Sequence, residues 1–203
     1  MSSHRHPLHD HRGLTLIELM VAVSILAVLA TLAVPSFQRQ IASGRLADAT
    51  NELMLATARA RTEAIRLGQR VSVCKSSDGS TCDTSATAGW ETGWLTFIDP
   101  TRAGASASVD MGETITFKVS AMQGVKIIGN GDLAKYMSFS ADGRAKTMTG
   151  AFLAGKIRVC NPSSALDDDH RARDVCITGT GRTILTTPTG VAASCSAPPS
   201  SGC

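Results

Sequence analysis

One long apolar stretch near the N-terminus constrains this chain more than any other feature. Residues 14–34 have the sequence LTLIELMVAVSILAVLATLAV, which is long enough to cross a bilayer because about 20 apolar residues span the hydrocarbon core. Glu18 is the only ionisable side chain in the stretch. A charge inside a membrane costs several kcal/mol, so a carboxylate there indicates a functional site. The sequence therefore predicts a membrane-spanning helix in which Glu18 is the functional group.

Two simpler interpretations of this stretch compete with that prediction. An ordinary secretory signal has a shorter apolar core followed by small residues at its cleavage site, and residues 27–33 contain such small residues. A plain membrane anchor with an incidental glutamate is the other interpretation. The position of Glu18 near the start of the apolar core argues against the secretory signal and favours a retained helix.

The charges ahead of the stretch predict its orientation. Arg5 and Arg12 precede it, and positive flanking residues remain on the cytoplasmic side. We therefore expect a single-pass protein of the inner membrane, with the bulk of the chain in the periplasm, where disulfides form.

The cysteine content agrees with an oxidising compartment. Six cysteines permit fifteen pairings, and proximity favours three bonds that each enclose a short polar loop. Zinc sites need closely spaced cysteine pairs of the CxxC type, which are absent, so we predict disulfides and no metal. The expected pairs are Cys74–Cys82, Cys160–Cys176 and Cys195–Cys203.

A helix is predicted to continue beyond the membrane. Leucine and alanine recur at steps of three and four from residue 36 to residue 67, which is typical of one buried helical face, and Gly68 is a suitable stop. Pro35 lies within this pattern, where its ring removes a backbone hydrogen bond. We expect a kink or a local loss of helix at Pro35.

The remainder of the chain has the pattern of short strands. Alternating apolar residues are separated by glycine-rich turns, and a long helix followed by many strands indicates an α+β fold with an antiparallel sheet packed on the helix. The predicted segments are a leader (1–13), a transmembrane assembly helix (14–35), its amphipathic continuation (36–68) and a β-rich periplasmic domain (69–203). The predicted strands are 70–74, 94–98, 114–119, 125–128, 136–139, 156–160, 174–177 and 183–185.

The residues at the head of the apolar stretch resemble a known processing signal. Gly13-Leu14-Thr15-Leu16-Ile17-Glu18 is similar to the class III signal of type IV pilins and type II secretion pseudopilins, although Leu14 stands where phenylalanine is usual. The resemblance implies cleavage after Gly13 by a prepilin peptidase and N-methylation of the new terminus at Leu14. It also implies that Glu18 pairs with an N-terminal amine during assembly, either that of an adjacent pilin or pseudopilin or that of Leu14 in the same chain.

A second resemblance lies in the predicted β domain. The segment from Trp90 to Asp99, and Gly181-Arg182 after a late strand, are similar to the FimT/FimU and GspH branch of that family. The resemblance implies a pilin-like fold and a minor pilin in the tip or priming complex of a pilus. The alternative is the H pseudopilin of a type II secretion system, which would act in a periplasmic pseudopilus. We expect the tryptophan segment to be a core strand rather than a ligand site.

DNA binding is a further alternative, because some FimT-like subunits bind DNA through a C-terminal Gly-Arg-x-Arg segment. Ile184 replaces the second arginine of that segment here. Asp167, Asp168, Asp169 and Asp174 would repel phosphates, and the net charge of +3 is too weak to imply a nucleic-acid partner. Phosphate affinity rises with the number of cations engaged. The candidate contacts are Arg182, Lys156, Arg158, Arg171 and Arg173.

An enzymatic function has little support. The sequence lacks a nucleophile elbow, a phosphate-binding loop and an HExxH segment, and His170 is the only histidine outside the predicted leader. Asp167 to Asp169 could hold Ca²⁺, but no known ligand spacing surrounds them. We predict a structural subunit without a catalytic site or cofactor, with the prepilin peptidase and other pilins or pseudopilins as its partners.

Overall fold

A single long helix, α1 (Leu16–Leu67), forms the N-terminal part of the chain. The computed structural model describes residues 13, 15–85, 87–101, 104–200 and 203, and it divides into two units, Met1–Gln38 and Arg39–Cys203. An 18-residue window of α1 has a mean hydropathy of 2.5, which together with its length suits a membrane span. The chain remains helical through Pro35, so no local loss of helix occurs there, and the expected kink stays a prediction.

The helix ends as Gly68 predicts. Gly68 adopts a left-handed φ of 64°, a conformation that glycine reaches without steric cost. Its N–H donates to the carbonyl of Ile65 at 3.4 Å, and the N–H of Gln69 donates to that of Ala64 at 3.3 Å. This pair of bonds is a Schellman motif, which satisfies carbonyls that the helix leaves unpaired.

In the described part of the chain, eight strands form two antiparallel sheets after the helix. The first sheet has the order β3-β2-β1-β5 and the second has the order β4-β6-β7-β8. The predicted strands are all present, with bounds that differ by at most two residues. The strands are β1 (Val71–Lys75), β2 (Trp94–Ile98), β3 (Ile115–Val119), β4 (Lys126–Gly129), β5 (Tyr136–Phe139), β6 (Gly155–Cys160), β7 (Ala172–Ile177) and β8 (Thr183–Thr186).

Both sheets contribute to one apolar core with the second half of α1. The buried face of this part of α1 consists of alanines and leucines. Because alanine side chains are small, the backbone of the helix can approach the sheets closely. The buried members of this face are Leu46, Ala49, Leu53, Ala56, Ala60 and Ala64, and they share the core with residues of β1, β2, β4, β5, β6 and β7. The α+β architecture predicted from the sequence is therefore confirmed.

The tryptophan segment lies inside this core. Trp90 and Trp94 are fully buried, and their rings meet edge to face with centroids 6.3 Å apart. The indole N–H of Trp90 donates to the carbonyl of Leu133 at 2.8 Å. The segment thus has a packing role, as expected.

Three disulfides connect the six cysteines, and two of the expected pairs were wrong. Cys74–Cys82 forms as expected, but Cys160 bonds Cys195 and Cys176 bonds Cys203. Cys160 pairs with Ala172 in the β6–β7 register, so Cys176 lies four residues further along its strand, or about 13 Å. That separation prevents the expected bond, and the C-terminal tail supplies the actual partners.

A buried lysine supports the loop that follows Cys74. The amine of Lys75 donates to the carbonyls of Ser85 and Ala88, both at 2.6 Å. Burial lowers the pKa of Lys75, while the nearby Asp83 and Glu91 carboxylates oppose this shift. Sequence analysis did not identify this arrangement, because a lysine at the end of a strand is usually exposed.

Candidate functional site

The candidate assembly site lies at the start of α1. The hydroxyl of Thr15 accepts a hydrogen bond from the backbone N–H of Glu18 at 3.3 Å, which makes Thr15 the N-cap of the helix. Glu18 is exposed in the first turn, where the helix dipole favours a negative charge. Sequence reasoning missed this cap, although a threonine three residues before a glutamate is a known helix-start pattern.

The predicted processing site is only partly visible. Gly13 is described, but Leu14 and the leader residues 1–12 lie outside the described residues. In the described part of the chain, no ion pair involves the Glu18 carboxylate.

Every described side chain from residue 15 to residue 38 is exposed. The large apolar members include Leu16, Ile17, Val28 and Phe37. Soluble monomers rarely expose a continuous apolar surface of this size, so such a surface indicates contact with a membrane or with other proteins.

Two of the five candidate DNA contacts are internal. Arg158 and Asp174 form a bidentate ion pair with N–O distances of 2.7 and 2.8 Å, and their side chains are 7% and 4% exposed. Arg171 is also buried, where it binds Asp168 at 2.9 Å and the carbonyls of Ser163 and Leu166. These two arginines stabilise the domain and are not exposed to a phosphate backbone.

Of the other three candidates, Lys156 and Arg173 lie on opposite faces of the second sheet. Lys156 lies on the same face of β6 as Arg158, because alternate residues of a strand share a face. Arg173 pairs with Val159 in the register and lines a cavity of about 140 Å³ beside helix residues Leu46 and Thr50. Arg182 is exposed in the turn before β8. With Arg158 and Arg171 buried, and Lys156 and Arg173 on opposite faces, the five candidate DNA contacts do not form one exposed cluster.

The three consecutive aspartates have separate partners. Asp167 binds the His170 ring at 2.6 Å, and this hydrogen bond lowers the pKa of Asp167. Asp168 binds Arg171, and Asp169 accepts from the Gly190 N–H at 2.8 Å. Among the described residues, no cluster of His, Cys, Asp and Glu could hold a metal ion, so these aspartates are used within the loop.

Within the Gly181-Arg182 motif, the glycine has a structural role. Gly181 has a φ of 77°, and a Cβ atom at this position would collide with the carbonyl oxygen of Gly143. The same carbonyl accepts a hydrogen bond from Arg61 Nε at 3.0 Å. Only glycine allows the β7–β8 turn to approach the Gly143 turn and the helix this closely.

We expect Gly181→Ala to destabilise the second unit by about 3 kcal/mol, because left-handed strain of about 1–2 kcal/mol adds to overpacking of about 1–3 kcal/mol. Gly190→Ala is a matched control, since Gly190 also has a positive φ of 66° but nothing within 4 Å of an added Cβ. Urea unfolding of the full chain in detergent measures the free energy of unfolding of both variants. Equal losses for the two variants would show that the close contact at Gly181 is unimportant.

Comparison with known proteins identifies the family. A family model described as Type II transport protein GspH matches residues 49–181, which is more than half of the chain. The chain belongs to the GspH family. A second model, the prokaryotic N-terminal methylation motif, matches residues 8–34 of this GspH-family chain. No curated protein matches the sequence.

One solved structure agrees with the family assignment at the level of the fold. The type IV minor pilin FimU of Pseudomonas aeruginosa has 18% identity and a TM-score of 0.51, with 72% of this chain and 95% of the FimU chain covered. A second crystal form of FimU has 17% identity and a TM-score of 0.46, with 74% and 98% covered. The family model and the methylation motif together make this GspH-family chain a membrane-anchored minor pilin or pseudopilin. Its class is structural rather than enzymatic, and the methylation motif implies prepilin peptidase processing and assembly with related subunits.

Proposed function

We propose that this protein is a minor type IV pilin of the FimU kind, a structural subunit that joins the tip or priming complex through its N-terminal helix. The observation that carries the proposal is the exposed apolar helix, which begins at the Thr15 cap and holds one carboxylate, Glu18, in its first turn. Leader residues 1–13 are removed after Gly13, and Leu14 becomes the methylated terminus. Residues 14–35 then enter the filament core, with 36–68 and the 69–203 domain outside the membrane.

Electrostatics gives Glu18 its role in this proposal. A charged carboxylate within the bilayer costs about 2.5–3.5 kcal/mol on insertion scales, and a nearby cation offsets this cost. The N-terminal amine of a neighbouring subunit, whose helix starts at the same depth, is such a cation. Pairing with that amine would draw each subunit into register with its neighbour as the helix leaves the lipid.

A periplasmic position for the second unit is part of the proposal. Its three disulfides favour an oxidising compartment, and the arginines ahead of the helix favour a cytoplasmic N-terminus. The inner membrane would hold the protein before assembly.

The alternative function is the H pseudopilin of a type II secretion system. The description of the matching family model favours it, whereas the FimU resemblance covers the fold alone. Both functions use the same helix, the same carboxylate and the same β domain, so the two must be separated in cells.

A clean deletion of the gene tests the proposal. We expect sheared surface pili to be lost in the deletion strain and restored by the wild-type gene, while the secretion of type II substrates is unchanged. Intact pili together with a secretion defect would replace the proposed function with the pseudopilin alternative. Intact pili and intact secretion would contradict both.

A further inference from the structure

An open groove lies between the second half of α1 and the strand β3. Its volume is about 420 Å³, and the helix residues Arg59, Glu63 and Arg66 line it together with Thr116 and Phe117 of β3. Phe117 is only partly buried, and the Arg59 guanidinium lies 4.5 Å from the centre of its ring. The groove thus offers an aromatic surface beside an arginine, and both residue types are enriched at protein interfaces.

One wall of the groove is a free sheet edge, because β3 is the terminal strand in the order β3-β2-β1-β5. The backbone N–H of Ile98 donates to the carbonyl of Thr114 at 3.0 Å, so alternate residues of β2 direct their backbone groups toward β3. Thr96 is one of these residues, and it pairs with Phe117. The next residue, Lys118, therefore directs its N–H and C=O away from β2. In the described part of the chain, β2 is the only strand that pairs with β3.

The groove has an excess of positive charge. Glu63 is the carboxylate that lines it, and this residue already lies 3.8 Å from Arg66 and accepts a hydrogen bond from the Thr116 hydroxyl at 3.1 Å. Among the described residues, no carboxylate forms an ion pair with Arg59, whose guanidinium contacts the Phe117 ring. The groove therefore has one positive charge that no carboxylate of the described chain neutralises.

Two further carboxylates precede β3, but they are held within their own loop. Asp110 accepts a hydrogen bond from the Ser108 hydroxyl at 3.1 Å. Glu113 accepts from the backbone N–H of Asp110 at 2.9 Å and from the Thr101 hydroxyl at 3.1 Å. Neither carboxylate lines the groove, so the charge that a bound segment would meet there is that of Arg59.

The β3 edge is poorly suited to a second copy of itself. Its pairing with β2 is irregular between Thr96 and Phe97, and Lys118 is exposed in the strand. Irregular edges and edge lysines oppose the pairing of identical strands. Two β3 strands joined edge to edge would also bring the groove arginines of both copies together, and like charges opposed across a strand pair destabilise it. The edge therefore favours a strand of different sequence that carries carboxylates.

We propose that the groove and the β3 edge bind an extended acidic segment of a different subunit, which adds to the first sheet as a fifth strand. This inference rests on the proposed function, because it assumes that the neighbours of the protein are other subunits of the same complex. The N–H and C=O of Lys118 bond the backbone of the added strand, as in other cases of strand addition. Alternate side chains of that strand face the groove, where an apolar one packs on Phe117 and a carboxylate pairs with Arg59.

Photo-crosslinking in cells tests the site. The full chain carries p-benzoyl-phenylalanine in place of Thr116, which is exposed and lines the groove, and intact cells are irradiated before membranes and sheared filaments are collected. We expect a product with a different protein that carries its own N-terminal methylation motif, mapped by mass spectrometry to an extended segment with Asp or Glu. The same probe in place of Thr186, an exposed threonine in the terminal strand of the second sheet, should not give this product.

The other outcomes of the crosslinking experiment contradict the proposal. No product, a product of two copies, a nuclease-sensitive adduct or a protein without the methylation motif would each overturn it. A crosslink to a segment without acidic residues, or the same product from the probe at Thr186, would also overturn it.

Substitution of Lys118 tests strand addition itself. Lys118→Pro removes the N–H that points away from β2, a position at which a sheet edge tolerates proline, whereas Lys118→Ala keeps this N–H. We expect the proline variant to lower the Thr116 product by about tenfold, because the added strand loses a backbone hydrogen bond and meets the proline ring, and the alanine variant to retain it. Equal urea unfolding midpoints show that both variants are folded. Equal product yields from two folded variants would overturn strand addition.

Charge reversal at an exposed residue tests the acidic partner and does not depend on the proline variant. Arg59→Glu should lower the Thr116 product by about tenfold, because like charges then face each other, and replacement of the mapped partner carboxylate by lysine should restore it. Arg144→Glu is the matched control, since Arg144 also lies near an exposed aromatic ring, that of Phe152 at 5.9 Å, but does not line the groove. Retention of the product in Arg59→Glu, or a failure of rescue at normal protein levels, would overturn the proposal.

The deletion strain judges the proposed function separately. Loss of pili in that strain without a Thr116 product would overturn this interface alone, whereas a Thr116 product with intact pili would overturn the proposed function alone.

Discussion

Replacing Glu18 with glutamine is expected to leave the protein processed and in the membrane but to lower its incorporation into filaments by roughly tenfold or more. The uncharged amide cannot form an ion pair with the N-terminal amine of a neighbour. A loss of about 1.4 kcal/mol in subunit docking corresponds to a factor of ten, and a charge pair within lipid is worth at least that much. Immunoblots of the sheared and membrane fractions give the ratio directly.

Two controls make the Glu18 result specific. Glu18→Asp keeps the carboxylate and should retain much of the incorporation, whereas Glu52→Gln removes a carboxylate from the second unit and should have no effect. If the Glu18→Gln protein entered filaments as well as the wild type in the presence of wild-type partners, the ion-pair mechanism would be wrong. A loss of processing in that variant would instead assign Glu18 to recognition by the peptidase.

Asp174→Asn should be among the most destabilising single substitutions in the β domain, with a loss of about 3–5 kcal/mol in the free energy of unfolding. The substitution leaves the Arg158 guanidinium buried without its counter-ion, and breaking a buried ion pair from one side has a cost of that size. Tryptophan fluorescence during urea unfolding of the full chain suits the measurement, because Trp90 and Trp94 are the only tryptophans and both are buried in this unit.

Asp142→Asn is the matched control for Asp174→Asn. Asp142 also lies near an arginine, but its side chain is 50% exposed and 3.5 Å from Arg144. Solvent screens exposed pairs of this kind, so the unfolding midpoint should barely move. Similar midpoints for the two variants would show that burial of the Arg158–Asp174 pair adds nothing to stability.

The parts of the fold that depend on local pattern could be predicted from the sequence. The end of the helix at Gly68 and the strand at 94–98 follow from residue type and alternation over a few neighbours. The burial of Trp90 and Trp94 also follows, because large aromatic side chains at and just before an apolar strand bury a large apolar area when they pack into the core.

The parts that depend on strand register could not be predicted. Arg158 and Asp174 are 16 residues apart, and only the β6–β7 pairing places them opposite each other. Without that register, Arg158 was a plausible phosphate contact. The prediction of Arg158 as a DNA contact failed for this reason. Glu18, in contrast, could be recognised from the sequence alone, because a charged residue within an apolar stretch is evident without knowledge of the tertiary structure.

The disulfide connectivity has a consequence for how the protein matures during export. In the proposed export to the periplasm, Cys160 leaves the membrane before Cys176, and Cys176 leaves before Cys195. The native bonds nevertheless join Cys160 to Cys195 and Cys176 to Cys203. An oxidant that joined cysteines in their order of arrival would produce the wrong Cys160–Cys176 bond. Correction requires thiolate attack on that bond through a mixed disulfide. The yield of this subunit should therefore be limited by the disulfide isomerase activity of its compartment rather than by the supply of oxidant.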